Sequence, residues 1–394
     1  MNCKHINIIS SLTNVVAAAS LILVLQSQSI CAGESETSKG LSVYYFGNSF
    51  LENSIPWFHP TIAKSAGENL RVATAIGPGW QIWMHSTAFE RSGHWIHRRE
   101  LLSGSWDAVL IQHFAHPGLN TVAPYKFDGP GRVWFYPPRG VGDVPAASEI
   151  ISLLESARPD ARVFIYNSWP GIPGAGDLAK RVRDEMMKSL ESQGESREAT
   201  LKKVNEHKLT LAELTPVLKA FDYGAAWLAE YDENDPQKSQ NTHSRAYCIA
   251  LMEGLKKKHP KLWAEGRLSL IPNGEVFYAL DQKMRAGQAP GIENVGFFSR
   301  DGGHVRAGLP RYTLAATCFA VMFRKHPGAL DYSIYNDLEN YKNENLSNLP
   351  GVNGSHYIHQ PDLGELLEIT PERARIVNDT VWEVVTKHPY TGVK

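Results

Sequence analysis

Two short stretches, far apart in the chain, carry residue types that could do nucleophilic and acid–base chemistry together. The first, "YYFGNSF" at 44–50, ends a run of strand-forming aromatics in Gly47-Asn48-Ser49 and so sets a small hydroxyl where the chain must turn. The second, "SRDGGH" at 299–304, puts Asp301 and His304 three residues apart across two glycines, just ahead of a long amphipathic helical stretch. In a tight turn that spacing lets a carboxylate and an imidazole emerge on the same side. The carboxylate would fix the tautomer and orientation of His304, leaving its other ring nitrogen to take a proton from a serine hydroxyl. Either stretch alone is what an ordinary turn contains. Together they supply a candidate nucleophile, Ser49, a candidate base, His304, and its orienter, Asp301.

For the two to meet, the intervening chain must be a scaffold that gathers loops at one end. Apolar runs bounded by turn residues recur as "LSVYYFG", "RVATAIG", "WDAVLIQ", "ARVFIYN" and "RLSLIPN". Near-continuous hydrophobic runs of this length are the mark of strands buried on both faces of a parallel sheet. Segments with helical spacing lie between them, at about 54–66, 81–102, 146–156 and 243–258. Alternating strands and helices predict right-handed crossovers and an α/β fold, a three-layer α/β/α sandwich on a five-stranded parallel sheet. In such sheets ligands collect beyond the carboxyl ends of the strands, which is where Ser49 falls after the first of them.

The rest of the chain bounds the reading. Its 394 residues are 43% hydrophobic, enough for a sizeable core, and 40 Lys and Arg against 41 Asp and Glu leave a net charge of −1. With no long basic block, the electrostatic footprint of a nucleic-acid binder is missing. Residues 1–32 read as a secretory signal peptide, with Lys4 and His5 before the apolar run "VVAAASLILVL" and a small residue, Ala32, for cleavage. That run is too short to be a comfortable membrane span, and no later stretch approaches the ~20 apolar residues a spanning helix needs, so no membrane partner is expected after cleavage. The expected location is therefore extracellular or periplasmic. Once the signal leaves, Cys248 and Cys318 remain, either as one disulfide or as two buried thiols. No C-x-x-C or H-E-x-x-H occurs to suggest zinc.

Residues 33–40 form a polar linker and 41–327 the main domain, interrupted by a Gly-, Pro- and aromatic-rich insertion at about 116–144 and a charged, helix-prone one at about 177–235. Residues 328–394 are expected to be a peripheral extension packed on the domain and closed by a helix from Pro371, capped by Thr370. "NTHSRAY" offers another Ser/His pair, His243 and Ser244, but adjacent residues at a helix start point apart, and Asn241 or Thr242 suffices as a cap.

"FGNSF" followed by a helix, and "RDGGHVRAGLPRYTLAA" before the last core helix, resemble the first and last blocks of the SGNH (GDSL-type) hydrolases, in a variant with G-N-S-F for G-D-S. The likeness lies in short blocks, in order across most of the chain after the signal. It implies a flavodoxin-like sandwich in which Ser49 is nucleophile, His304 general base and Asp301 its orienter, with no metal or organic cofactor. It also implies an oxyanion hole from the Ser49 N–H, a glycine N–H after the second strand and an Asn side chain after the third. Gly79 in "AIGPGWQIWMH" takes the glycine role, with Gly77 as alternate. The third block departs from the pattern. After "WDAVLIQ" comes "HFAHPG", so Gln112 at the strand end, or His116 at the Asn position, would have to donate.

Asn48, Trp80, His85 and His116 are the candidates to contact substrate. Among the ten tryptophans, Trp57, Trp80, Trp83, Trp134 and Trp169 fall in or beside the predicted strand-end loops, where flat faces could stack on sugar rings or pack the insertions. The expected activity is that of a secreted serine esterase removing small acyl groups, above all O-acetyl, from carbohydrate through an acyl-enzyme. Its rivals are a carbohydrate-binding protein without turnover and an acyltransferase using the same three residues.

Overall fold

A computed structural model of the protein describes residues 40–77, 79–86, 95–113, 118–120, 141–207, 209–289, 291–341 and 365–394. The expected signal peptide and the linker up to residue 39, His116, Trp134 and most of the first insertion lie outside the described residues. Five strands, β1 (Leu41–Gly47), β2 (Leu70–Ile76), β3 (Ala108–Gln112), β4 (Arg162–Tyr166) and β5 (Leu268–Ile271), coincide with the five apolar runs to within two residues at either end. All pair in parallel, in the order β2-β1-β3-β4-β5. This is the flavodoxin-like order, whose direction reverses between β1 and β3.

Alternation along each strand builds two cores. Val43 and Tyr45 of β1, Leu110 of β3 and Phe164 and Tyr166 of β4 point to one face. Tyr44 and Phe46, Val109 and Ile111, and Val163 and Ile165 point to the other. Because successive side chains leave a strand on opposite sides, both faces of a sheet this apolar must be covered. Helices α1 (Ser49–Glu52) and α2 (His59–Ser65) follow β1, and α3 (Asp143–Ala157) lies between β3 and β4. The charged insertion folds as α4 (Ala175–Ser192), α5 (Arg197–Glu206) and α6 (Leu211–Ala220), the last opening with a Thr210/Glu213 capping box. Then come α7 (Arg245–Lys258), α8 (Asn273–Arg285), α9 (Leu309–Phe323) and α10 (Pro371–Lys387). Ile62, Val276, Leu314 and Val381 bring α2, α8, α9 and α10 onto the first face. Ile150 and Leu251 bring α3 and α7 onto the second.

Two expectations are settled here. Cys248 packs in one core and Cys318 in the other, both as free thiols, so the sheet separates them and the disulfide alternative is excluded. The C-terminal segment packs on the domain through the helix from Pro371, and it enters the core as well as covering it. Thr370 caps α10 by accepting from Arg373 N–H at 3.2 Å, and α10 buries Val377, Val381 and Val385. Its Asn378 takes the Tyr312 hydroxyl at 2.8 Å, and the following Tyr390 carbonyl accepts from Leu270 N–H on β5 at 2.8 Å. Residues 41–394 accordingly form one compact unit. No helix among the described residues is long and apolar enough to cross a membrane.

Candidate active site

Gly47 ends β1 at a point where a side chain has no room: a Cβ there would lie 2.7 Å from Leu51 and 2.8 Å from the Gln112 amide oxygen. Asn48 then leaves the strand in extended conformation and caps α1, its Oδ1 accepting from Phe50 N–H at 2.9 Å. Ser49 is therefore the first helical residue, half-buried, at the carboxyl end of β1 and beside the point where the strand order reverses. Its N–H belongs to the first turn of a helix, where the backbone supplies no partner, and no described residue engages it.

The second piece arrives as a tight loop closed by the antiparallel bridge of Ser299 with Val305. Asp301 Oδ1 accepts from Gly303 N–H at 3.0 Å and from His304 N–H at 2.8 Å, which is why an Asp must stand at the head of this turn. Gly302 has φ of 96°, and a Cβ on it would lie 2.4 Å from Ala175. The loop is gripped from the β4 side by Ile172 N–H on the Gly302 carbonyl at 2.6 Å and Trp169 Nε1–H on the Gly303 carbonyl at 2.9 Å. Arg311 of α9, fully buried, donates to the carbonyls of Val305 and Arg306 just beyond it.

These elements bring the two pieces together. His304 Nδ1 lies 2.8 Å from Asp301 Oδ2, and His304 Nε2 lies 2.8 Å from Ser49 Oγ. An ionised carboxylate only accepts, so Nδ1 carries the proton and Nε2 is the acceptor facing the serine hydroxyl. Desolvation would raise the Asp301 carboxyl. The hydrogen bond and charge of His304, the charge of Arg300 at 3.3 Å and the Gly303 amide outweigh it and hold the group well below the usual carboxylate range. The result is a hydroxyl, an imidazole and a permanently ionised carboxylate in line, the arrangement that makes a serine nucleophilic. Among the described residues no group of three or more His, Cys, Asp or Glu side chains converges as a metal site would.

Other sequence candidates take different places. Gln112 is not a free donor. Its Oε1 accepts Asn48 N–H at 2.8 Å and its Nε2 donates to the His113 carbonyl, so the amide satisfies the main chain at two strand ends. Asn48 is buried and engaged at both ends, its Nδ2 donating to the Trp80 carbonyl at 2.8 Å, which makes it a support rather than a substrate contact. His85 is likewise buried, bonding the Gly47 carbonyl at 3.1 Å between the rings of Phe46 and Trp80. Gly77 N–H is taken by the Gly47 carbonyl at 3.2 Å, whereas Gly79, with φ of 71°, has an N–H that no described residue engages. The Asn48–Trp80 bond ties Gly79's neighbour to the residue before the serine, so of the two glycines Gly79 keeps the oxyanion role available.

Of the four strand-end candidate tryptophans that are described, Trp57, Trp83 and Trp169 are core residues, and Trp80 alone stays half-exposed beside Asn48. Ser244, not Asn241 or Thr242, caps α7 by accepting from Tyr247 N–H at 3.2 Å. His243 instead pairs with Ser168 Oγ at 2.8 Å and stacks on Phe50, which also meets His304 and Trp169. Ser168 N–H also donates to His113 Nε2 at 3.3 Å, and burial together with the nearby His243 pushes the His113 imidazole down to about 3, keeping it neutral. Sequence reading could not find this cluster, because its three members come from three separate loops.

One consequence concerns Glu52, which closes α1 and is 4% exposed. Burial pushes its carboxyl up to about 7, against the lowering charges of Arg311 and Arg300. Between its ordinary value of 4.5 and about 7 the folded chain keeps a proton that the unfolded chain releases, so stability falls as pH rises through that window. Urea midpoints of wild type and Glu52→Gln measured from pH 4.5 to 7 should therefore diverge, wild type losing ground; a pH-independent gap would exclude Glu52 as the titrating group.

No protein-family profile matches the chain, and no curated protein matches it in sequence. Among solved structures it is similar to the crystal structure of a DUF4886 family protein from Bacteroides uniformis ATCC 8492, with a TM-score of 0.44 and 10% identity, over 89% of this chain and 96% of that one. A likeness of that size carries no argument about the site, whose reading rests on its own geometry.

Proposed function

We propose that this protein is a secreted serine esterase of the SGNH (GDSL) type, acting on small acyl esters and above all on O-acetyl groups of carbohydrate. The observation that carries the proposal is the pair of 2.8 Å contacts that align Ser49 Oγ, His304 and Asp301 at the carboxyl end of β1. Ser49 Oγ attacks the ester carbonyl as His304 Nε2 takes its proton. The oxyanion forms between the Ser49 and Gly79 N–H groups, main-chain donors of the kind that stabilise developing charge. Protonated His304, balanced by Asp301, returns the proton to the departing alcohol. A water activated by the same nitrogen then cleaves the acyl-enzyme and restores the serine. The sugar reading rests on Trp80, the half-exposed aromatic beside the nucleophile turn.

The test is direct. Purified protein is incubated with p-nitrophenyl acetate and with O-acetylated oligosaccharides, and separately with a fluorophosphonate followed by peptide mass mapping. The proposal predicts acetate release and a phosphonate on Ser49. Failure to release acetate from any ester, with Ser49 unlabelled, would reject it, while release from the phenyl ester alone would reject only the carbohydrate assignment.

A further inference from the structure

We infer that Asn53 is a positioning residue that sets the distance between nucleophile and base; the inference rests on the esterase reading above. Asn53 stands just after α1, one turn beyond Ser49, and is 3% exposed. Its Nδ2 donates to the Ser49 carbonyl at 2.5 Å, and its Oδ1 accepts from Val305 N–H at 2.9 Å. A backbone N–H can only donate and a carbonyl can only accept, so the two contacts fix which end of the carboxamide is which. One buried side chain thus joins the main chain of the nucleophile to the peptide directly after the base, across 252 positions of sequence.

Two further links between these pieces are ring contacts, and Glu52 of α1 adds the charge attraction of Arg300 and Arg311. Trp169 bonds the Gly303 carbonyl but meets the nucleophile helix only through ring contact with Phe50, and Phe50 itself touches His304 ring to ring. Ring contacts slide at little cost, whereas a donor–acceptor pair on either end of a planar amide fixes direction and length. Catalytic groups must be held within roughly 0.5 Å of productive geometry, and a displacement near 1 Å costs about a hundredfold in rate. Asn suits this place because it is short and offers one donor and one acceptor. Asp would keep the Val305 contact but turn a lone pair toward the Ser49 carbonyl, Leu would remove both contacts at similar volume, and Ser would leave both ends out of reach.

The experiment compares Asn53→Asp, Asn53→Leu and Asn53→Ser with wild type by kcat and KM on p-nitrophenyl acetate, melting temperature, and crystal structures of the folded variants. A positioning role predicts, in variants that remain folded at the assay temperature, a fall of about a hundredfold in kcat with KM changed by no more than about threefold. It also predicts a Ser49 Oγ to His304 Nε2 separation beyond hydrogen-bond reach. A merely structural residue would lower the melting temperature and leave kcat per folded molecule unchanged. Any folded variant with wild-type kcat overturns the inference. So does the failure of all three to fold, which would make Asn53 a requirement of the fold and not of the site. If wild type itself shows no Ser49-dependent turnover, the esterase reading is what fails, and the Ser49–His304 separation in the variants still decides the role of Asn53.

Discussion

Under the proposed esterase function, replacing Ser49 by Ala is expected to lower kcat for ester hydrolysis by about a million-fold, while leaving the fold and the binding of ester nearly untouched. The size follows from what the hydroxyl does. Without it no acyl-enzyme forms, and what remains is the modest acceleration that the two oxyanion donors and binding can give to direct attack by water. Stability should change by no more than about 0.5 kcal/mol, because Ser49 is half-buried and its N–H, not its side chain, belongs to the helix start. His304→Ala is expected to fall by a similar factor, and the double variant to fall no further than either. Residues that act as one unit are not additive. Initial-rate kinetics on p-nitrophenyl acetate with active-site titration of the wild type measures all three. A double variant whose losses multiplied would mean that the serine and the imidazole act independently, and the 2.8 Å contact between them would then have no catalytic meaning.

How far this site can be read from the sequence depends on whether a residue's partner is local. The turn from β1 into Ser49 and the Asp301–His304 spacing are local patterns, and the structure places all three side chains in line. The strands too are legible, since an uninterrupted run such as Val109 to Gln112 has only one place to go, between two covering layers. Polar residues next to the nucleophile are harder. Asn48 and Gln112 look like groups meant for substrate, yet where parallel strands end and the chain turns, main-chain donors and acceptors lose their ladder partners and must be satisfied from side chains. Gln112 does this for Asn48 and His113, and His85 for Gly47. Asn53 shows the converse. Nothing in "SFLEN" marks it, because its meaning comes from Val305, which only the closed fold brings within 2.9 Å. Three of the candidate tryptophans are lost as sugar platforms for a volume reason: layers built on a sheet this apolar need large side chains to fill the space over it, and Trp57, Trp83 and Trp169 fill it, leaving Trp80.

The second large effect is expected at Asp301, and here the geometry predicts which conservative change is most damaging. In Asp301→Asn, the oxygen of the new amide must take the Oδ1 position, because two main-chain donors, Gly303 N–H and His304 N–H, point at it and could not face an NH2 group. The amide nitrogen is then forced to the Oδ2 position, 2.8 Å from His304 Nδ1. A donor now faces a nitrogen that formerly donated, so the imidazole must carry its proton on Nε2 instead. That proton points at Ser49, and the ring can no longer accept from the hydroxyl. Loss of the wild-type tautomer in this way is worth about 10^4 in kcat at neutral pH. KM should hold, since no ligand contact changes. The negative charge that would balance the imidazolium formed during attack is lost with it, and Arg300, at 3.3 Å, is left facing a neutral group, which adds to the cost of protonating His304. Activity in Asp301→Asn should accordingly rise at alkaline pH, where hydroxide substitutes for the missing base, whereas wild type reaches a plateau. A pH–rate profile of kcat/KM for the two proteins decides the matter. Parallel profiles differing by less than about tenfold would mean that Asp301 orients the turn and not the ring.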